Sequence, residues 1–110
     1  MRDQLGELLQ ALEREMRSQG RWERQRPPHQ ALLSTQPFAV DTLDFDQWLQ
    51  WIFIPKLNEL LVMQLPLPDN CAVGPMAEEV YGPDNPVAER ITSIVSEIDS
   101  LLTRHGADLN

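Results

Sequence analysis

The chain has 110 residues, of which 42% are hydrophobic, and it carries a formal net charge of −8. This length is enough for one domain with its own core, and the apolar content excludes general disorder. Apolar runs such as Trp51–Ile54 are far shorter than the roughly 20 residues of a membrane span, and we expect no secretory signal in the acidic N-terminal segment. The single cysteine, Cys71, fits a reducing compartment, so we expect one domain over residues 1–110 in the cytoplasm.

The first predicted helix is amphipathic and begins near Asp3. Its apolar residues recur every three or four positions, as one face of a helix requires. They are Leu5, Leu8, Leu9, Leu12 and Met16. Gly20 predicts the end of the helix, because glycine adopts the left-handed conformation that closes many helices. Trp22 follows this stop, and we expect its ring to pack back against the helix end.

The segment after Trp22 is predicted to be a connector that contains one ordered turn. Pro27 and Pro28 prevent a helix from continuing through it. Residues 29–43 show no clear periodicity, and a loop of about fifteen residues is long for a compact domain and often functional. Within it, the proline-containing sequence Ser34–Phe38 predicts an ordered turn.

The second predicted helix runs through residues 46–63 and is nearly all apolar, which makes it the central helix. Asp44 or Asp46 is expected to cap its start, where acidic residues suit the helix dipole. Pro55 lies inside the helix, lacks an amide donor and must bend the helix or divide it. Five of the six Trp and Phe residues of the chain fall within residues 38–53, so this segment should dominate the core or an interface.

Two further helices are predicted in the C-terminal half. A short helix near Pro75–Tyr81 is closed by Gly82. A long amphipathic helix follows, with Asn85 as its cap and Pro86 at its first position. Gly106 is expected to end this last helix.

These helices combine into a predicted all-α fold. No segment has the alternating pattern of a strand, and the chain has no internal repeat. The prediction is a small helical bundle of three long helices plus a short one, with its central helix near residues 46–63 bent at Pro55. The first and last helices are narrowly amphipathic and are expected to cover the central helix.

Several short motifs resemble one protein family. The motifs are Ser34–Phe38, Asp41–Phe45 and Trp48–Pro55, supported by Trp22, by Pro28-His29 and by Leu67-Pro68. In this order and spacing they are similar to the YqcC-like family of small bacterial proteins, and the resemblance spans nearly the whole chain. It implies an all-helical cytoplasmic protein with no established activity. The family's genes are often found next to one for a tRNA pseudouridine synthase, which implies a partner in RNA modification.

The sequence contains no pattern typical of metal or cofactor binding. His29 and His105 share no short spacing with Cys71, whereas zinc sites require such spacing. The acidic run Asp41–Asp46 places apolar side chains where a calcium loop needs oxygen ligands. We interpret its aspartates as helix caps and surface charges, and we expect neither a metal nor a cofactor.

No catalytic arrangement is indicated either. A nucleophile and a base can be drawn from Ser34 or Cys71 with His29, but nothing in the spacing shows that they converge. The five glycines are dispersed and form no phosphate-binding loop. We therefore expect that the protein is not an enzyme. The alternative is a small-molecule-binding or catalytic domain with a pocket at the Ser34–Phe38 turn. Its site residues are His29, Ser34, Gln36 and Asp41.

The basic residues of the first half cluster around Trp22. They are Arg14, Arg17, Arg21, Arg24 and Arg26, with Glu15 and Glu23 among them. An aromatic ring beside guanidinium groups is a minimal pattern for RNA contact. The negative charge of the whole protein opposes phosphate binding, and we favour a solvated helix end over an RNA site. Nucleic acid is therefore not expected to bind the chain alone.

The aromatic segment has three interpretations, which we rank as core, partner site and ligand pocket. A bundle of this size has too little helix to cover every face of the central helix, so some aromatic side chains should remain at a surface patch for a partner. The predicted partner or ligand surface comprises Ser34, Thr35, Gln36, Pro37, Phe38, Asp41, Phe45, Trp48 and Phe53.

We therefore expect a non-enzymatic helical protein-interaction module, for which a tRNA pseudouridine synthase is one candidate partner. Residues 56–110 hold three basic and nine acidic side chains, and this acidic half is expected to steer a basic partner. A second copy of the chain that covers the central helix is the alternative partner, and no membrane is expected.

Overall fold

The structure is a computed structural model that describes residues 2–33, 43–68 and 71–108. Within these ranges it is all-α without a strand, as the sequence predicts. The elements in chain order are α1 (Arg2–Ser18), a 3₁₀ helix (His29–Leu33), α2 (Phe45–Trp48), a π-helical turn (Leu49–Phe53), α3 (Ile54–Val62), α4 (Val73–Tyr81) and α5 (Pro86–Asp108). None of the described helices is long and apolar enough to cross a membrane.

Helix α1 ends where the sequence predicts, because Gly20 closes it in the left-handed region at a φ of 71°. The amide of Arg21 donates to the carbonyl of Met16 at 2.8 Å, and the amide of Gly20 donates to the carbonyl of Arg17 at 3.1 Å. These two bonds satisfy carbonyls that would otherwise lack a partner at the helix end. The predicted apolar stripe is buried at Leu5, Leu9, Leu12 and Met16.

The predicted central helix is divided into α2, the π turn and α3. Asp44 precedes α2 as its cap residue, and its amide donates to Gln47 Oε1 at 2.9 Å. Pro55 follows the π turn at the start of α3. Proline has no amide hydrogen, and its ring collides with the carbonyl four residues earlier, so the wider π turn provides the room that an α-helical turn lacks. The disturbance that the sequence predicts at Pro55 is thus a π-helical turn between two α-helical segments, within a backbone that is helical from Phe45 to Val62.

The C-terminal helices agree with the sequence prediction except at the C-terminal end of α5. Asn85 caps α5, since its Oδ1 accepts a hydrogen bond from the amide of Ala88 at 3.2 Å. Gly82 closes α4 at a φ of 80°. Helix α5 continues to Asp108, so the prediction that Gly106 ends it is wrong. Glycine lowers helix stability by only about 1 kcal/mol relative to alanine, which is too little to stop a long helix.

The N-terminus of α4 is capped by a side chain of α5. Asp99 accepts hydrogen bonds from the amide of Val73 at 3.1 Å and from that of Gly74 at 2.6 Å. A carboxylate is favourable at a helix N-terminus, where unpaired amides carry partial positive charge. Helices α4 and α5 approach closely at this point, because a Cβ on Gly74 would lie 2.5 Å from Ser96 Oγ.

The core forms where α5 packs against α1 and α4, while α3 packs against α1. The main line of buried residues in the central segment repeats every four positions, at Phe45, Leu49, Phe53 and Leu57, and Gln50 and Ile54 are buried beside it. Trp51 and Ile52 belong to the aromatic segment for which the core is the first-ranked interpretation, but they are only partly buried. They lie on the turns between the buried positions and thus point away from the line that faces α1 and α5.

Candidate interaction groove

The predicted partner surface lies only in part within the described residues. Its members Ser34, Thr35, Gln36, Pro37, Phe38 and Asp41 lie outside them. Phe45 and Phe53 are each 6% exposed and belong to the core, so their predicted exposure is wrong. They share the four-residue spacing of Leu49, which turns both rings inward. Trp48 is partly buried between them, with its ring centroid 6.1 Å from Phe45 and 5.2 Å from Phe53.

Trp22 packs back against the end of α1, as the sequence predicts. Its ring contacts the core, and Arg17 of the last turn of α1 covers one ring face at 4.8 Å from the centroid. Arg17 Nε also donates to Glu13 Oε2 at 3.0 Å. Closure of α1 by Gly20 reverses the chain and brings Trp22 alongside its own helix.

Gln50 in the π turn fixes the connector that carries Trp22. This side chain is buried, and its amide Nε2 donates to the carbonyl of Glu23 at 2.7 Å. Its Oε1 accepts from the amide of Glu23 at 2.8 Å. One side chain therefore pairs both backbone groups of a connector residue, much as a neighbouring strand would.

A groove of about 570 Å³ lies between the end of α1, this connector and the start of α3. Its apolar lining is formed by Trp22, Trp51, Ile54 and Pro55. Its polar lining is formed by Glu13, Arg17, Glu23, Arg24, Gln50 and Asn58. We call this feature the tryptophan groove. A concave apolar floor with a few polar groups is the usual composition of a binding site.

The indole of Trp51 has an unusual polar atom at this groove. Its Nε1 is buried from solvent, and no residue in the described part of the chain accepts a hydrogen bond from it. A buried donor without an acceptor costs about 1–3 kcal/mol, and native proteins contain few such groups. The unpaired indole N–H of Trp51 therefore makes this groove a candidate functional site.

A polar cluster outside the lining of the groove joins three segments. Arg21 Nη1 donates to Asp46 Oδ2 at 3.0 Å, and the hydroxyl of Tyr81 donates to Asp46 Oδ1. Burial raises the pKa of the Tyr81 phenol far above its ordinary value of 10.0, and Asp46 raises this pKa further while Arg21 opposes the change. A phenol with a raised pKa is a hydrogen-bond donor rather than a base, so the cluster is suited to hold α2 and α4 together.

The described residues form no arrangement typical of metal or nucleophilic chemistry. No group of His, Cys, Asp or Glu among them is placed to hold a metal ion. His29 is exposed on the 3₁₀ helix, and the other residues of the alternative site, Ser34, Gln36 and Asp41, lie outside the described ranges. What the described structure does form is a surface groove suited to binding.

The sequence analysis missed the tryptophan groove, because its two indoles are far apart in the chain. Trp22 and Trp51 are brought together only when the π turn packs against the connector. The available signal was the spacing of the central segment. A buried face at residues 45, 49, 53 and 57 leaves Trp51 off that face.

Comparisons with known proteins agree with this fold. The family model described as "DUF446: tRNA pseudouridine synthase C" matches residues 4–101. The chain is 40% identical over 94 residues to uncharacterized protein YqcC of Escherichia coli strain K12, which covers 84% of this chain and 85% of that protein. The solution NMR structure of E. coli YqcC superposes with a TM-score of 0.82 at 35% identity, over 93% of this chain and 87% of that one.

A further relative is much longer than the part it shares with this chain. Over 66 residues the chain is 38% identical to tRNA pseudouridine synthase C of Pectobacterium carotovorum subsp. carotovorum. This match covers 60% of the chain but 18% of that protein. The family model and the E. coli relative each match well over half of the chain, which confirms the resemblance seen in the sequence motifs: the chain belongs to the DUF446 family of YqcC-like proteins.

Proposed function

We propose that this protein is a non-enzymatic helical interaction module that binds a tRNA pseudouridine synthase. The observation that carries the proposal is the match to the Pectobacterium synthase, in which the shared segment makes up 18% of the protein. A segment that makes up most of E. coli YqcC and also part of a longer protein named for an enzyme is expected to act beside that enzyme. In one chain the linkage supplies a high effective concentration, whereas separate chains need an interface.

Two properties of the chain support an interface. The tryptophan groove presents two indoles, and tryptophan is among the residue types that contribute most to binding at protein interfaces. The net charge of −8 is complementary to an enzyme that handles a polyanion and therefore carries a basic surface. We also propose a cytoplasmic location, where tRNA is modified.

The proposal is tested by mixing the purified chain with purified tRNA pseudouridine synthase C of the same organism. We expect a saturable complex by titration calorimetry and co-elution in size-exclusion chromatography with light scattering. A pseudouridine synthase of another specificity from the same organism is the matched control and should not bind. Absence of a complex at concentrations where both proteins are folded would contradict the proposal, and formation of a dimer of the chain alone would favour the second copy as partner.

The non-enzymatic part of the proposal has its own test. The chain alone is incubated with unmodified tRNA, and nucleosides are analysed by mass spectrometry. We expect no pseudouridine without the synthase, and formation of pseudouridine by the chain alone would show that it is an enzyme.

A further inference from the structure

We infer that the tryptophan groove is the docking site for a protein segment of the synthase, which inserts an apolar side chain and offers a hydrogen-bond acceptor to Trp51. The inference rests on the proposed function and names the surface that serves it. The occupant has a definite chemistry, an apolar anchor followed by a carbonyl or carboxylate oxygen. Each part of this description comes from the lining of the groove.

The apolar anchor follows from the floor of the groove. Trp22, Trp51, Ile54 and Pro55 give it an apolar surface, and its volume of about 570 Å³ admits a large side chain together with part of a backbone. Gln50 holds the connector with two hydrogen bonds, so this wall is in place before a partner arrives. A groove formed in advance spares the cost of ordering loops on binding.

The acceptor follows from Trp51 and Arg24. Trp51 Nε1 is buried with no acceptor among the described residues, and the indole that carries it lines the groove, so an occupant that reorients this ring can accept from its N–H. Within the described part of the chain, the guanidinium of Arg24 at the rim has no ion pair, while Arg17 is already paired with Glu13. A carbonyl satisfies the indole, and an acidic group on the partner satisfies Arg24.

The lining of the groove favours protein over RNA. Arg17 covers one face of the Trp22 ring, and the ring also packs against the core, which leaves little ring surface for a stacked base. Glu13 and Glu23 place two negative charges beside the two arginines, so the groove has no net positive charge for phosphates. RNA binding by stacking needs both a free ring face and a basic surface.

The experiment measures affinity of the synthase for two variants and a control. Asn58→Arg places a long charged side chain at the exposed rim of the groove, and Ser93→Arg adds the same charge at an exposed position of α5, outside it. We expect Asn58→Arg to weaken binding at least tenfold and Ser93→Arg to leave it within about twofold, as for an interface centre and a remote site. Trp51→Phe keeps an aromatic ring but removes the donor, and we expect a loss of about fivefold to tenfold.

The outcomes separate the inference from the proposed function. If the synthase binds the wild-type chain and all three variants equally, the groove is not its docking site, although the proposed function stands. If the synthase does not bind the wild-type chain, both the inference and the proposed function are contradicted. Fluorescence anisotropy with labelled tRNA measures whether RNA binds the groove instead. Binding that Asn58→Arg strengthens and added salt weakens would overturn the inference in favour of RNA, because a new arginine helps a phosphate and obstructs an apolar anchor.

Discussion

At the scale of single residues, Gly74 decides how closely α4 approaches α5. Its missing side chain leaves room for Ser96, and Asp99 of the same helix caps α4 at this point. A methyl group here would lie 2.5 Å from Ser96 Oγ and 3.3 Å from the Ser96 Cα. The first contact is relieved by rotation of a hydroxyl, but the second involves backbone, so the two helices must separate.

We therefore expect Gly74→Ala to lower the free energy of unfolding by about 1–3 kcal/mol, the usual cost of overpacking. Urea denaturation followed by circular dichroism measures the change. The control is Gly6→Ala in α1, where a Cβ meets nothing within 4 Å. It should stabilise the protein by about 0.5–1 kcal/mol, because alanine is the better helix former. Equal effects of the two substitutions would show that α4 and α5 are not in tight contact.

The partly buried Trp51 and the buried Leu49 offer a comparison of two neighbouring residues. Leu49 is 0% exposed, so Leu49→Ala should cost about 2–5 kcal/mol through the cavity it leaves. Trp51→Ala removes a larger side chain but should cost only about 1 kcal/mol, because Trp51 is off the buried face. Urea unfolding of both variants tests the order. A larger loss at Trp51 would mean that its indole supports the core rather than a partner.

At the scale of elements, the π turn is the feature that assembles the tryptophan groove. It aligns Gln50 with the backbone of Glu23 and leaves Trp51 on the groove side. π turns are rare inside helices and occur often at functional sites. Here the turn also accommodates Pro55, so the backbone change that the proline requires also shapes the groove.

Gln50→Ala is expected to release the connector from the central segment. It removes two hydrogen bonds that each contribute about 0.5–1.5 kcal/mol, and so stability should fall by about 1–3 kcal/mol. Hydrogen exchange at the amide of Glu23 should accelerate more than exchange in the core of α5. Gln10→Ala, at an exposed position of α1, is the control and should change neither. Unchanged protection of Glu23 would contradict the role of Gln50.

At the scale of the whole molecule, Arg21, Asp46 and Tyr81 link the connector, α2 and α4. Arg21 Cζ also lies 5.0 Å from the centroid of the Tyr81 ring, and Phe45 contacts the ring edge-on at 5.6 Å. The ring of Tyr81 therefore contacts Arg21 and Phe45, while its hydroxyl donates to the carboxylate of Asp46. Its raised pKa makes global stability depend on pH in the alkaline range.

The sign of this dependence follows from proton binding. In the unfolded chain the phenol ionises near pH 10, whereas the folded protein keeps it protonated, so the folded state binds the extra proton. The contribution of Tyr81 is fully present below about pH 10 and is lost as the pH rises above it. We expect Tyr81→Phe to cost about 1.5–3 kcal/mol at neutral pH, the range for a hydrogen bond to a charged group. This difference should shrink in strongly alkaline solution.

The chain has one tyrosine, so the ultraviolet absorbance of phenolate reports Tyr81 alone. In alkaline titration we expect this absorbance to appear together with unfolding, followed in parallel by circular dichroism. Ionisation near pH 10 in a protein that remains folded would contradict both the raised pKa and the predicted loss of stability.

Most helix ends are predictable from the sequence, because they depend on neighbours within a few residues. Gly20 and Gly82 close helices through their own backbone freedom, and Asn85 caps α5 three residues from the amide it accepts from. The same local reasoning failed at Gly106, where the rest of a long helix outweighs one unfavourable residue. For the site, the motif-based expectation concentrated on residues 34–41, which lie outside the described ranges.

The all-α character and most of the helix ends are predictable from the sequence alone, since periodicity and capping act over a few residues. The sequence also identifies the family, through motifs that keep their order and spacing. Which side of the central segment is buried, and that Trp22 and Trp51 share a groove, is evident only in the folded chain. These features depend on a proline-induced π turn and on Gln50 reaching across to Glu23, so they arise from packing between segments that are distant in the chain.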